Sequence, residues 1–189
     1  MIILGIDPGS IKVGFAIVDV SPKLRRPKIL ELGTWELLRA IHGERKMQRE
    51  ASLGERLENL AVHLKDLLEE WNPSVIGLEK AVHYKNAASA QTLSEARGVI
   101  RLLLHQNLES ADKRLIELSP TMVKKVASGA GSASKEGVLK SMKLRFPELQ
   151  EMMQNSDFHF DAFDALAIAL TAWNLSQKTQ RIAQIDHRS

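Results

Sequence analysis

The sequence predicts an α/β protein, a layered sheet of mixed direction with helices on both faces. Three observations carry this. The first 37 residues hold three apolar runs separated by turn-forming breaks, the pattern of strands joined by hairpins. Beyond them, long stretches of helical periodicity alternate with two short apolar runs that read as strands. The last strongly apolar segment, "FHFDAFDALAIALTAW", is a helix with Ala, Leu and Ile on nearly every side, so it must be buried on most of its circumference.

In chain order, "MIILGID" is a β-branched run closed by the breaker "PGS", and "KVGFAIVDV" follows after one turn. They predict a hairpin of Ile2–Asp7 and Lys12–Asp19, to which "ILELGTWEL" adds a third antiparallel strand. Leu53, Leu57, Leu60, Leu64, Leu67 and Leu68 recur at helical spacing, so a long amphipathic helix is expected from about Glu44 to Trp71. "NPSVIGLE" is a turn and a short buried strand ending at Glu79. An Ala/Leu-rich helix is expected over about Asn86–Asn107 and a strand over Arg114–Leu118. Ser119 and Pro120 are an N-cap and first-turn pair for a short helix ending near Val126. "SGAGSAS" reads as a loop and Lys135–Arg145 as a helix that stops before Pro147. "ELQEMMQNSD" fits neither pattern. The final helix begins near Phe160. After Asn174 the chain turns polar, which suits a helix end or loose tail, so one domain is expected over residues 1–175 with a polar tail over 176–189. Met47, Met122, Met142, Met152 and Met153 read as core filler.

Composition narrows the function. A chain of 189 residues suits one domain with a full core. Without cysteine, neither disulfides nor cysteine-ligated zinc can form. No basic n-region or small-residue cleavage site follows Met1, and no apolar run approaches a membrane span, so a cytoplasmic protein is expected. A net charge of +3 permits a nucleic-acid partner without requiring one.

Four acids stand where a core does not ask for them. Asp7 and Glu79 each close an apolar strand, and strand ends are where α/β sheets build sites. Asp161 and Asp164, three residues apart, share one face of the final helix. Taken singly, Asp7 also suits a turn, Glu79 a solvent-facing strand end, and the helical pair the favourable end of a helix dipole. Ala165, Leu166 and Ile168 show, however, that the helix is buried almost at once. Charges there repel one another and cost several kcal/mol each without compensation. A divalent cation supplies it. Four hard oxygen donors without His or Cys suit Mg²⁺ or Mn²⁺. Four carboxylates on three elements suit two ions about 4 Å apart, the arrangement that cleaves phosphodiesters.

With these residues in place, "GIDPGS", "GLEKAVHYKNAASAQTLSEARG", "GAGSASKE" and "DAFDALAIAL" resemble the four signature blocks of the RuvC-type Holliday junction resolvases, in the same order and at similar spacing over about Met1 to Ala172. "GIDPGS" by itself is a weak signal; the four together are specific. The resemblance implies a ribonuclease-H-like fold with a mixed five-stranded sheet. It implies that Asp7, Glu79, Asp161 and Asp164 bind the metal and carry catalysis, and that a homodimer binds a four-way DNA junction. Two symmetric nicks would leave 5′-phosphate and 3′-hydroxyl ends, and a branch-migration helicase complex would be a partner. "MVKKVASGAGSASKE" matches a basic block that would bring Lys124 and Lys135 to the DNA, Lys135 beside the scissile phosphate.

The sequence departs from the family pattern after Glu79. Val82 falls where Phe is often found, and Tyr84, two residues on, offers a surface for base stacking. Lys85 and Asn86 in the same loop stand as DNA contacts, with Lys80 a further phosphate contact. Residues 21–48 form a longer, more basic stretch than the family pattern, suited either to a wider DNA footprint or to a solvated loop. His159 is a candidate ligand or proton shuttle. "QTLSEARG" suits the dimer face, and Arg97 has three candidate partners: DNA, Glu95 and Asp7. Two other activities fit the same acids, a ribonuclease-H-like nuclease for another branched or hybrid substrate and a catalytically silent junction-binding module. A silent module predicts a missing carboxylate, and none is missing. "DPGS" also resembles the first phosphate loop of actin-like ATPases and sugar kinases, but the chain has no room for their second domain.

Overall fold

A computed structural model describes residues 1–37, 51–80, 87–154 and 160–186. The three N-terminal strands form as expected: β1 (Ile2–Asp7), β2 (Lys12–Asp19) and β3 (Lys28–Glu36). Helix α1 (Leu53–Trp71) leads to β4 (Val75–Glu79), then to α2 (Ala87–Asn107), a single turn α3 (Ala111–Arg114) and β5 (Leu115–Leu118). Four helices complete the chain: α4 (Pro120–Ser128), α5 (Lys135–Arg145), α6 (Glu148–Gln154) and α7 (Phe160–Asp186).

The five strands lie in the order β3-β2-β1-β4-β5. β1 pairs antiparallel with β2, and β2 with β3, while β4 lies parallel to both β1 and β5. Alternation along the strands feeds two cores. Leu4 and Ile6 of β1 pack with Ile76 and Leu78 of β4, and with Leu60, Leu64 and Ile100 from α1 and α2, on one face. On the other, Ile3, Ala16 and Val18 pack under α4, α5 and α7, through Val123, Val138, Met142 and Leu166.

Local signals explain the element ends. Ser52 caps α1 in a reciprocal box: its hydroxyl accepts from the Glu55 N–H, and the Glu55 carboxylate accepts from the Ser52 N–H. The helix therefore starts at Leu53; the expected lead-in over residues 44–50 lies outside the described residues. It stops at Asn72, whose left-handed backbone an asparagine tolerates, one residue before Pro73. Ser119 and Pro120 open α4 as expected. That helix runs two residues past Val126, to Ser128, where Gly129 at φ +84° ends it.

Three expectations needed correction. "ELQEMMQ" is a helix, α6, anchored in the core by the fully buried Phe146 and Leu149. The polar segment after Asn174 is no loose tail as far as Asp186, because α7 carries straight through it. Met142 is core filler and Met152 and Met153 pack half-buried against the same core, but Met122 is 40% exposed on α4; Met47 lies outside the described residues. Among the described residues no helix is long and apolar enough to cross a membrane.

Candidate metal centre

Strand parity brings the first two acids together. Ile6 pairs with Leu78, so the next residues on these parallel strands, Asp7 and Glu79, end side by side. Both fall on the face that carries Ile3 and Gly5, the face covered by α7.

Three glycines let α7 deliver the other two. A Cβ on Gly5 would stand 2.1 Å from the Ala165 carbonyl oxygen, and one on Gly14 would stand 2.0 Å from that of Asp161. One on Gly77 would meet Ile168 at 2.8 Å. Gly14 pairs with Asp7 and Gly5 with Gly77, so these positions form a trough across β2, β1 and β4 in which the α7 backbone rests directly on the sheet. Burial of α7 is continuous from Ala165 to Ala172. Asp161 and Asp164 lie on its first turns, half-buried beside the buried Ala162 and Phe163, and the helix cannot slide without striking the sheet.

The outcome is a cluster of carboxylates. Ligand oxygens of Asp7, Asp161 and Asp164 all lie within 4.8 Å of one another. Glu79 stands just outside this triad, close enough that its charge raises the Asp7 pKa and that Asp164 raises its own. Burial, then Glu79, Asp164 and Asp161, push the Asp7 carboxyl up to about 8, with Lys135 pulling it back. Burial also pushes Glu79 up, opposed by Lys135, Arg97 and Lys124.

Lys135 is the one cation that touches the cluster among the described contacts. It is the first residue of α5, which Ser134 caps by accepting from the Gly137 N–H at 3.1 Å. A lysine there opposes the helix dipole, yet its Nζ lies 3.0 Å from Asp164 Oδ2. That hydrogen bond raises its pKa and keeps it charged. The loop from Gly129 to Ser134 folds back on α4: a Cβ on Gly131 would stand 2.9 Å from Thr121 Cγ2. This fold-back brings Lys135 toward the site.

One ammonium cannot balance four acids. The donor set is all oxygen, negatively charged and partly withdrawn from water, and it fits a divalent metal ion. A direct consequence is measurable without metal. An unfolded Asp7 titrates near 3.8 and the folded one near 8. Between those values the folded state holds a proton that the unfolded state has released, so stability falls as pH rises. Melting temperatures in a chelator are expected to decline from about pH 4 to about pH 8, with a shallower slope in Asp7→Asn. Equal slopes in the two proteins would show that Asp7 carries no such shift.

Of the remaining expected site residues, Lys124 on α4 is near enough to influence Glu79. Tyr84, Lys85, Asn86, Val82 and His159 lie outside the described residues, as do residues 38–48 of the basic stretch. Arg97 pairs with neither of its two candidate protein partners, Glu95 and Asp7. It donates to the Glu79 carbonyl and to the Glu117 carboxylate, while Glu95 accepts from Gln91. Glu117 went unnoticed in the sequence, where an acid in the middle of a four-residue strand carried no signal. The glycine trough was also missed, although Gly5 and Gly77 both stand two residues before a strand-end acid.

The strand order and the acids at its centre define the class, a ribonuclease-H-like fold with a carboxylate site for metal-dependent nuclease chemistry. Comparison with known proteins narrows this. The family model for crossover junction endodeoxyribonuclease RuvC matches residues 3–172, and the chain belongs to that family. Relatives of that name include one from Prochlorococcus marinus, 33% identical over 90% of this chain and 97% of the relative. Another, from Treponema denticola, is 34% identical over 92% of this chain and 85% of the relative. Among solved structures, the fold is similar to T. thermophilus RuvC in complex with Holliday junction substrate. Its TM-score is 0.70 at 23% identity, with 90% of this chain and 92% of that one covered. The yeast mitochondrial Holliday junction resolvase Ydc2 gives a TM-score of 0.62 at 18% identity, over 94% and 82%.

Proposed function

We propose that this RuvC-family protein is a Mg²⁺-dependent endonuclease that resolves four-way DNA junctions by two symmetric nicks, in recombination and repair. The observation that carries the proposal is the convergence of Asp7, Asp161 and Asp164 within 4.8 Å, with Glu79 beside them and Lys135 on Asp164. These four acids would hold two Mg²⁺ ions, with Mn²⁺ as a substitute. When bound, the ions supply an acidified water and stabilise the leaving 3′-oxygen.

The chain's own residues do the rest. Asp7, at the end of the central strand β1, gives the site its fixed point. Lys135 is exposed enough to leave Asp164 and meet the scissile phosphate, where it offsets developing negative charge. A water oxygen bonds to phosphorus as the P–O3′ bond breaks, leaving a 5′-phosphate, and the departing 3′-oxygen takes up a proton to become the 3′-hydroxyl. Lys124 extends the positive surface along the DNA. Tyr84, Lys85 and Asn86, which follow Glu79 closely in the sequence, are assigned to the junction by residue type, an aromatic stacking surface beside polar and cationic groups. Two symmetric nicks require two sites, hence a homodimer; α2 offers a face for it, with Leu102 55% exposed. The family pattern also supports a branch-migration helicase complex as partner.

The test is a gel assay of a synthetic four-way junction beside linear duplex and RNA–DNA hybrid, in Mg²⁺. Paired symmetric nicks are expected in the junction alone. Lys135→Ala is expected to lose roughly 10²–10³-fold in rate. Equal cutting of duplex or hybrid would overturn the junction assignment, and binding without cleavage would indicate a silent module.

A further inference from the structure

Arg97 and Glu117 lie outside the acidic centre, on the opposite face of the sheet, and the mechanism above does not use them. Glu117 pairs in register with Leu78, whose side chain belongs to the core beneath α1 and α2. From that side Arg97, only 13% exposed, extends from the middle of α2. One arm of its guanidinium donates to the Glu79 backbone carbonyl and the other to the Glu117 carboxylate. Arg101, one turn further along α2, holds the same Glu117 oxygen at 2.8 Å.

The sheet itself explains why Glu79 needs such a partner. On the β5 side, the β4 end is tied down where the Lys80 N–H donates to the Leu118 carbonyl at 2.7 Å. On the β1 side, regular pairing stops at Ile6 and Leu78. The residue after Asp7 is Pro8, which has no N–H to continue the ladder. The Glu79 carbonyl would otherwise lack a donor at the very residue whose side chain faces the metal centre. A planar guanidinium with forked donors can satisfy a carbonyl and a carboxylate at once, which an ammonium cannot do with the same rigidity.

We propose that Arg97 is a positioning residue for the metal centre: fixed by Glu117 and Arg101, it clamps the Glu79 carbonyl and so sets where the Glu79 carboxylate stands relative to Asp7 and Asp164. The role rests on the reading of the acids as a metal site. It concerns the backbone behind a ligand, an outer-layer support whose loss typically costs 10–100-fold in metal affinity or activity.

The experiment compares the unaltered protein with Arg97→Gln, Arg97→Lys and Glu117→Gln. Mn²⁺ affinity is measured by electron paramagnetic resonance without DNA. Junction affinity is measured by gel shift without divalent ion, and kcat and KM by cleavage in Mg²⁺. For Arg97→Gln, Mn²⁺ affinity and kcat are each expected to fall about 10–100-fold, with junction affinity and KM within about 3-fold. Arg97→Lys keeps one donor and is expected between Gln and the unaltered protein. Glu117→Gln is expected to show a smaller loss of the same kind, and it serves as the deciding variant should the Arg97 proteins fail to fold. Folded variants with unchanged Mn²⁺ affinity and kcat would overturn the role of Arg97 and leave the metal centre standing. An unaltered protein that binds no Mn²⁺ would overturn the metal centre, and this role with it.

Discussion

Asp7→Asn is expected to abolish junction cleavage, by on the order of 10³-fold, while making the metal-free protein more stable at neutral pH. The two effects share one cause. Asp7 ends the central strand β1, where burial and three neighbouring carboxylates push its pKa up to about 8. Ionised, it contributes a ligand oxygen that an amide replaces poorly. Without metal, burial and the charges of Asp161, Asp164 and Glu79, with Lys135 as the only counterweight among the named contributors, make the folded protein hold a proton on Asp7 that the unfolded chain has released at neutral pH, which costs stability. An asparagine of the same size needs no such proton. Relieving that cost is expected to stabilise by on the order of a few kcal/mol, which for a chain of this length raises the melting temperature by roughly 2–4 °C per kcal/mol. Junction binding should persist or tighten, because one negative charge near the phosphates is gone. Melts in a chelator and a cleavage time course check both halves. An Asp7→Asn protein that still cuts would remove Asp7 from the centre.

Gly5→Ala is expected to have a large effect although it touches no functional group. Its Cβ would lie 2.1 Å from the Ala165 carbonyl oxygen and 2.6 Å from the Ala169 nitrogen. Both are backbone atoms of α7, so no rotamer change relieves the clash. Helix and sheet must separate, at the overpacking cost of about 1–3 kcal/mol or more. At roughly 2–4 °C per kcal/mol, a fall of several degrees in melting temperature follows. Activity should suffer beyond that loss. Moving α7 off the sheet carries Asp161 and Asp164 away from Asp7, so Mn²⁺ affinity should drop even in the fraction that remains folded. Gly54→Ala is the control, since a Cβ there meets nothing within 4 Å. Equal Mn²⁺ affinity and melting temperature in Gly5→Ala and the unaltered protein would show that α7 is not seated on Gly5.

The strands and helices were largely legible because their signals are local. β-branched runs, the leucine spacing of α1, the Ser119–Pro120 start of α4 and the stop of α5 before Pro147 each act within a few residues. The four acids were legible for a different reason: carboxylates on apolar elements conflict with burial, and that conflict marks a site. Where local signals were weak, reading failed. α6 lacks a clear apolar period and is held by burial of Phe146 and Leu149, and the polar residues after Asn174 give no sign that α7 continues to Asp186.

By itself, then, the amino-acid order determined the elements, the family blocks and the identities of the acids, because each is written in contiguous residues. Only the tertiary structure decided that Asp7, Asp161 and Asp164 meet while Glu79 stands beside them, and that Arg97 turns to Glu117 and the Glu79 carbonyl instead of to Glu95 or Asp7. Those outcomes depend on strand register and on how closely α7 approaches the sheet. Three glycines far apart in the chain set that approach, and their common role exists only once β2, β1 and β4 lie side by side.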